Sequence, residues 1–189
     1  MRFHAAQQVW SEAFAVGSGS PDVSDVKVQF GIKDNDWQIV AGIESGKVQA
    51  VITKLDPLYR AWGMCAYTSM GTREQYDRLL DELLKKYGLL YPGDFVQIGF
   101  RRNARLLELI TIALEDRIFI ENTGCKKFTA AEISRSIEID PRNFSRDWGI
   151  VYERLQKIMD SWPKNALGPL WPLIHAEQDK REAELGRAG

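Results

Sequence analysis

The chain has 189 residues, 44% apolar and 27% charged, enough to bury a core without disulfides or metals and too apolar for a disordered chain. Its 25 basic and 26 acidic side chains leave a net charge of −1, so any contact with nucleic acid must come from a local patch. Cys65, Cys125, His4 and His175 are the only cysteines and histidines; they exclude a cysteine-rich zinc site and a disulfide framework, and no metal or other cofactor is expected. No apolar run reaches the roughly 18–20 residues that span a bilayer. The opening Met1-Arg2-Phe3-His4 lacks a secretory layout. A cytoplasmic protein with no membrane partner is expected.

Residues 3–16 bring Phe3, Val9, Trp10, Ala13 and Phe14 together at helical spacing, up to the break at Gly17-Ser18-Gly19-Ser20-Pro21. That run is a linker, because no Lys-Ser/Thr follows to make it a phosphate loop. Over 25–53 the signal is mixed. Val26, Val28, Phe30 and Ile32 alternate as in a strand, whereas Trp37, Ile39, Val40 and Ile43 fit strand or helix; Val48, Ala50 and Ile52 again allow a strand. A small β element is allowed here, with a helical region as the alternative. Asp34-Asn35-Asp36 lacks the glycine and distal glutamate of a calcium loop and reads as a polar turn.

From Asp56 onward the pattern is helical. Asp56-Pro57 is an N-cap followed by proline at the first helical position, with Leu58, Trp62, Cys65 and Ala66 on one face. Cys65 reads as packing rather than as a nucleophile. Thr72 and Gln75 form a capping box for a helix with Tyr76, Leu79, Leu80, Leu83 and Leu84 on its apolar stripe and Tyr87-Gly88 as its end. Asp77, Asp81 and Glu82 line its solvent side. After Pro92-Gly93, residues 101–115 form a helix whose buried stripe is Leu106, Leu109, Ile110, Ala113 and Leu114. Arg101, Arg102 and Arg105 crowd its N-terminal turn, the unfavourable end for positive charge. A phosphate or partner contact and a solvated basic end pairing with Glu108 are both open.

Residues 128–162 carry the most information. Thr129 and Glu132 make another capping box, for a two-turn helix with Ala130, Ile133 and Ile137 inward. Asp140-Pro141 then opens a second helix, with Ile139 buried in the turn and Phe144, Trp148, Val151, Leu155 and Ile158 at 4, 3, 4, 3 spacing. This is the layout of a helix-turn-helix. Ser134 stands where alanine is common, Glu138 where glycine often opens the turn, and Asp147 where an apolar residue is usual. The second helix exposes Arg142, Asn143, Ser145 and Arg146 on its first two turns: arginine can read guanine, asparagine adenine, and serine can take a phosphate. Lys126, Lys127, Thr129, Arg135 and Arg154 complete the candidate DNA-binding set, the basic ones as clamps on flanking phosphates. The alternative is a helical hairpin with a mixed-charge surface.

Pro163, Gly168-Pro169 and Pro172 stop the second helix, and Leu167, Leu170, Trp171, Leu173 and Ile174 form an apolar cluster able to fold back or to dock another protein. The charged end of the chain is helix-prone, and His175 reads as a surface histidine. The expected architecture is mainly α: an N-terminal region over 1–55, a helical domain over 56–162 with its helix-turn-helix at 128–162, and a tail over 163–189.

Across 56–162, Arg60-Ala61-Trp62-Gly63, the leucine-rich helix ending at Lys86-Tyr87, and FTAAEISRSIEIDPRNF with the long helix behind it resemble the late-gene antitermination Q proteins of lambdoid phages, in the group without a zinc finger. The helix-turn-helix also resembles region 4 of bacterial primary sigma factors. The resemblance covers a little over half the chain and leaves out residues 1–55. It implies a non-enzymatic factor in the bacterial host cytoplasm that binds double-stranded DNA at a late promoter, engages RNA polymerase and its sigma factor, and lets polymerase read through terminators. Arg142, Asn143, Ser145 and Arg146 would read the DNA, and apolar faces including Trp10 and Trp171 would contact polymerase or a second copy. The competing expectations are a dimeric helix-turn-helix repressor or activator, and an adaptor that contacts only proteins. No nucleophile motif or glycine-rich nucleotide signature favours an enzyme.

Overall fold

The structure is a computed structural model and describes residues 2–15, 43–68, 70–96 and 100–187. The described residues are mainly helical, with no strand among them. In chain order the helices are α1 (Arg2–Ala15), α2 (Ser45–Thr53), α3 (Pro57–Tyr67), α4 (Arg73–Leu90), α5 (Gly93–Val96), α6 (Phe100–Thr123), α7 (Ala130–Ser136) and α8 (Pro141–Asn143). A π-helical turn over Phe144–Trp148 leads into α9 (Gly149–Met159), followed by α10 (Ser161–Leu167), a 3-10 turn over Gly168–Leu170 and α11 (Trp171–Arg187). The strand allowed at Val48, Ala50 and Ile52 is therefore corrected to helix. Val48 and Ile52 are buried four residues apart, one turn of α2, while Ala50 faces out. The rest of the allowed β element, the Gly-Ser linker and the Asp34-Asn35-Asp36 turn lie outside the described residues.

The chain divides into two compact units, Met1–Gly71 with Pro163–Gly189, and Thr72–Trp162. The division thus falls after α3 rather than before it, and the C-terminal segment joins the N-terminal one instead of standing as a tail.

In the first unit, α1 packs on α2, α3 and α11. Ala5, Ala6, Val9, Trp10 and Ala13 form its buried stripe, and the Gln49 amide closes the α1–α2 contact by donating to the Ala13 carbonyl at 2.6 Å. Asp56 caps α3 by accepting from Leu58 N at 2.8 Å. Gly63 on α3 lies against the face of Trp10 so closely that a Cβ there would stand 2.0 Å from Cζ2 of the indole. Leu167, Leu170 and Ile174 are buried, and Leu173 and Trp171 are half-buried.

In the second unit, α4, α6 and α9 pack on one another. Leu79, Leu83 and Tyr87 meet Leu106, Leu109, Ile110, Ala113 and Leu114 of α6 and Val151, Leu155 and Met159 of α9 in its buried interior. Burying each of the larger aliphatics contributes about 1.5–3 kcal/mol. Thr72 and Gln75 complete their capping box. Two helix ends differ from expectation. α4 runs past Gly88 to Leu90 and is closed by Tyr91 N donating to the Tyr87 carbonyl at 2.8 Å, so Gly88 is an interior residue. α6 continues from 115 to Thr123, with Asp116 buried within it.

Candidate nucleic-acid interface

The capping box at the start of α7 is complete: Glu132 N donates to Thr129 Oγ1 at 3.3 Å and Thr129 N to Glu132 Oε2 at 2.7 Å. The Thr129 backbone N–H, and after it the Thr129 hydroxyl, hold the Glu132 carboxyl below its ordinary range. α7 ends in a tight turn in which Ile139 N donates to the Ser134 carbonyl at 2.8 Å. Glu138 takes φ 55°, the one positive φ among the described non-glycine residues. This is the position where glycine was noted as usual, and its left-handed backbone is the reason. Asp140 accepts from Arg142 N at 2.8 Å and so caps α8 at Pro141. Ser134 is buried with its hydroxyl donating to the Ala131 carbonyl at 3.0 Å, which satisfies the polar group that replaced the usual alanine.

Asp147 is accommodated by the π turn. Gly149 N reaches back to the Phe144 carbonyl, and the wider loop carries one extra residue. Phe144 and Trp148 both stay buried while Asp147 swings to the half-exposed edge. The same insertion slides the downstream stripe toward the C-terminus: Tyr152 and Met159 are buried, and Ile158, expected inward, is half-buried. Ala130 is exposed rather than inward, leaving Ile133 and Ile137 as the buried contacts near α7, and Ile139 is half-buried.

The hairpin is braced by a residue that the sequence reading passed over. Asp116 of α6 is fully buried; one carboxylate oxygen accepts from the backbone N–H groups of Lys127 (2.5 Å) and Phe128 (3.2 Å), and the other accepts from the Tyr152 hydroxyl. A second brace comes from Arg105, whose guanidinium donates to the Glu138 carbonyl at 3.1 Å. Arg105 thus has a partner within the fold, at the turn rather than at Glu108. Arg101 and Arg102 lie in the first turn of α6, and their side chains are outside the described residues.

The candidate reading residues fall into two groups. Arg142, Asn143, Ser145 and Arg146 are all exposed on the opening of the second helix. Ser145 Oγ donates to the Pro141 carbonyl at 3.4 Å, and Arg146 forms two bonds with the Asp147 carboxylate, at 2.7 and 2.8 Å. Arg146 therefore has to leave Asp147 to reach a base. Arg135 is exposed on α7, its Nε donating to the Ala131 carbonyl at 3.2 Å.

Lys126, Lys127, Thr129 and Arg154 instead border a groove of about 960 Å³ between the start of α7 and the flank of α9; none of the four reading residues lines it. Arg154 is engaged there: it pairs with Asp94 at 2.8 Å and lies over the Tyr91 ring at 4.4 Å, while Tyr87 also donates to Asp94, at 2.5 Å. Lys127 pairs with Glu115 at 2.7 Å and lies over Phe128 at 4.8 Å. Ile150 and Lys157, which the sequence reading left out of the site, also line the groove.

Trp10 is fully buried, which removes it as a surface for polymerase or a second copy; Trp171 is half-buried. Cys65 is half-buried and its thiol is pushed up by burial to about 11, whereas Cys125 is exposed. Among the described residues no group of three or more His, Cys, Asp or Glu side chains is placed to hold a metal ion. No described helix is long and apolar enough to cross a membrane. No family model, curated protein or solved structure matches the chain.

Proposed function

We propose that the protein is a DNA-binding transcription regulator acting through the hairpin of α7, the Glu138 turn and the helix opened by Pro141. The observation that carries this reading is the turn itself: a capped two-turn helix, a left-handed residue at Glu138 and a second capped helix whose first residues, Arg142, Asn143 and Ser145, are exposed. Arginine and asparagine at the N-terminal end of such a helix have the donors and acceptors to read guanine and adenine edges in a major groove. Arg146 joins them once released from Asp147, and Arg135 is available to phosphates. The resemblance of 56–162 to the phage Q antiterminators extends the proposal to a factor that engages RNA polymerase and its sigma factor near a late promoter and permits read-through of terminators.

The test is retention of DNA flanking the gene at about 50 and 200 mM salt, for the wild type and for an Arg142→Ala/Asn143→Ala variant. Specific retention that falls steeply with salt and is lost in the variant is expected. Equal retention by both proteins, or none even with RNA polymerase holoenzyme added, overturns the reading. With holoenzyme present, terminator read-through in a transcription assay separates an antiterminator from a repressor.

A further inference from the structure

We infer that the groove between the start of α7 and the flank of α9 is a docking site for an acidic, amphipathic peptide segment of a protein partner. Its floor is apolar, formed by Ile120, Phe128, Ile133 and Phe144. Ile150 is 51% exposed, a large aliphatic left in solvent at the rim of a concave surface. Arg117, Lys126, Lys127, Arg154 and Lys157 line the groove with Glu153 and Asp160. Arg117 is held by Glu121 and Asp160, Lys127 by Glu115 and Arg154 by Asp94. Lys126 and Lys157 are exposed, have no acidic partner among the described residues, and give the rim the positive charge that an incoming segment meets.

An apolar floor with a cationic rim selects a chain that presents apolar side chains on one face and carboxylates beside them, as an amphipathic helix laid in a groove does. The Lys127–Glu115 pair is solvent-exposed at both ends, and such pairs are worth about 0–1 kcal/mol, so an incoming carboxylate can replace Glu115 at little cost. A DNA duplex offers no apolar face to cover Ile150 and Phe128. The groove is also separate from Arg142, Asn143 and Ser145, so the inference stands apart from the DNA reading.

The test is selection of a displayed random 16-residue peptide library on the full-length protein, followed by fluorescence anisotropy of the selected peptides. The expected result is peptides with apolar residues at helical spacing and an excess of Asp and Glu. Their affinity should fall roughly tenfold or more in Ile150→Asp and in Lys157→Glu, and stay unchanged in Arg142→Ala/Asn143→Ala. Ile150 and Lys157 are exposed, and unchanged melting curves confirm folding of both variants. Absence of selected peptides, peptides without acidic excess, or binding indifferent to both groove variants overturns the inference. Loss of DNA retention in Lys157→Glu without any peptide binding also overturns it and assigns that rim to phosphate.

Discussion

Asp116 and Tyr152 are 36 positions apart in the chain and joined side chain to side chain in the interior, the tyrosine hydroxyl donating to the carboxylate. Through its other oxygen the same carboxylate holds the backbone of Lys127 and Phe128. One buried anion thus fixes α6, the entry to α7 and the middle of α9 in a single arrangement. Removing it leaves two backbone N–H groups and a hydroxyl without their acceptor. Asp116→Ala is expected to lower unfolding free energy by about 3 kcal/mol or more, and Tyr152→Phe by about 1–2 kcal/mol. Urea denaturation followed by circular dichroism measures both; an Asp116→Ala midpoint within error of the wild type would show that the anion braces nothing.

The same pair makes the protein sensitive to alkali. Burial, and then the bond to Asp116, raise the Tyr152 phenol above its ordinary value; Tyr87 is raised by burial and by Asp94. A group whose folded pKa lies above its unfolded pKa releases its proton more readily on unfolding. Its contribution is complete below the unfolded tyrosine value of about 10 and is lost as pH climbs from there toward the folded value. Stability should therefore decline above about pH 10, with a smaller decline in Tyr152→Phe. Denaturation midpoints across that range, compared between the two proteins, decide it.

Glu138 holds φ 55° in the turn between α7 and α8, a conformation that costs a side-chain-bearing residue about 1–2 kcal/mol. Glycine removes that cost but gains freedom in the unfolded chain, which returns part of it. Glu138→Gly should therefore stabilise by about 0.5–1 kcal/mol, because the bond from Arg105 goes to the backbone carbonyl and survives the change. A destabilised variant would mean that the Glu138 carboxylate itself has a structural role.

How far the sequence carried this picture depends on the range of the interaction. The caps at Asp56, Thr72, Thr129 and Asp140 all form as their local spacing implies, because a cap involves residues two or three apart. The apolar stripes of α4 and α6 follow from helical periodicity, and Glu138 was marked by occupying a glycine position. Asp116 was not marked, since its partners lie 11, 12 and 36 residues on and it sits between Glu115 and Arg117 in what reads as an ordinary charged stretch. Arg154 looked like a free phosphate clamp because Asp94, 60 residues earlier, could not be placed beside it. The π turn was equally hidden: one extra residue moved burial from Ile158 to Met159.

Gly63 has the closest neighbour of the described glycines in the first unit. A Cβ built on it stands 2.0 to 2.5 Å from three atoms of the Trp10 ring, which is itself fully buried and edge-on to Tyr67. The indole is fully buried and has no solvent side into which to swing. Gly63→Ala should cost about 3 kcal/mol, despite alanine's better helix propensity. Combining it with Trp10→Leu should recover part of the loss, because the clash then has no ring to meet. Additive losses in the double variant would place the damage elsewhere.

The two thiols lie one in each unit, Cys65 in the first and Cys125 in the second, and provide a separate probe of the fold. Cys65 lies half-buried on α3, and burial pushes its thiol up to about 11. Only the thiolate attacks an alkylating reagent, so at neutral pH Cys65 is both shielded and almost wholly protonated. Cys125, just beyond the end of α6, is exposed. With iodoacetamide near pH 8, Cys125 should be modified first, and Cys65 should follow slowly, its rate still rising as pH approaches 11. Peptide mapping by mass spectrometry assigns each site. Equal rates for the two thiols in the native protein would mean that the fold does not protect Cys65.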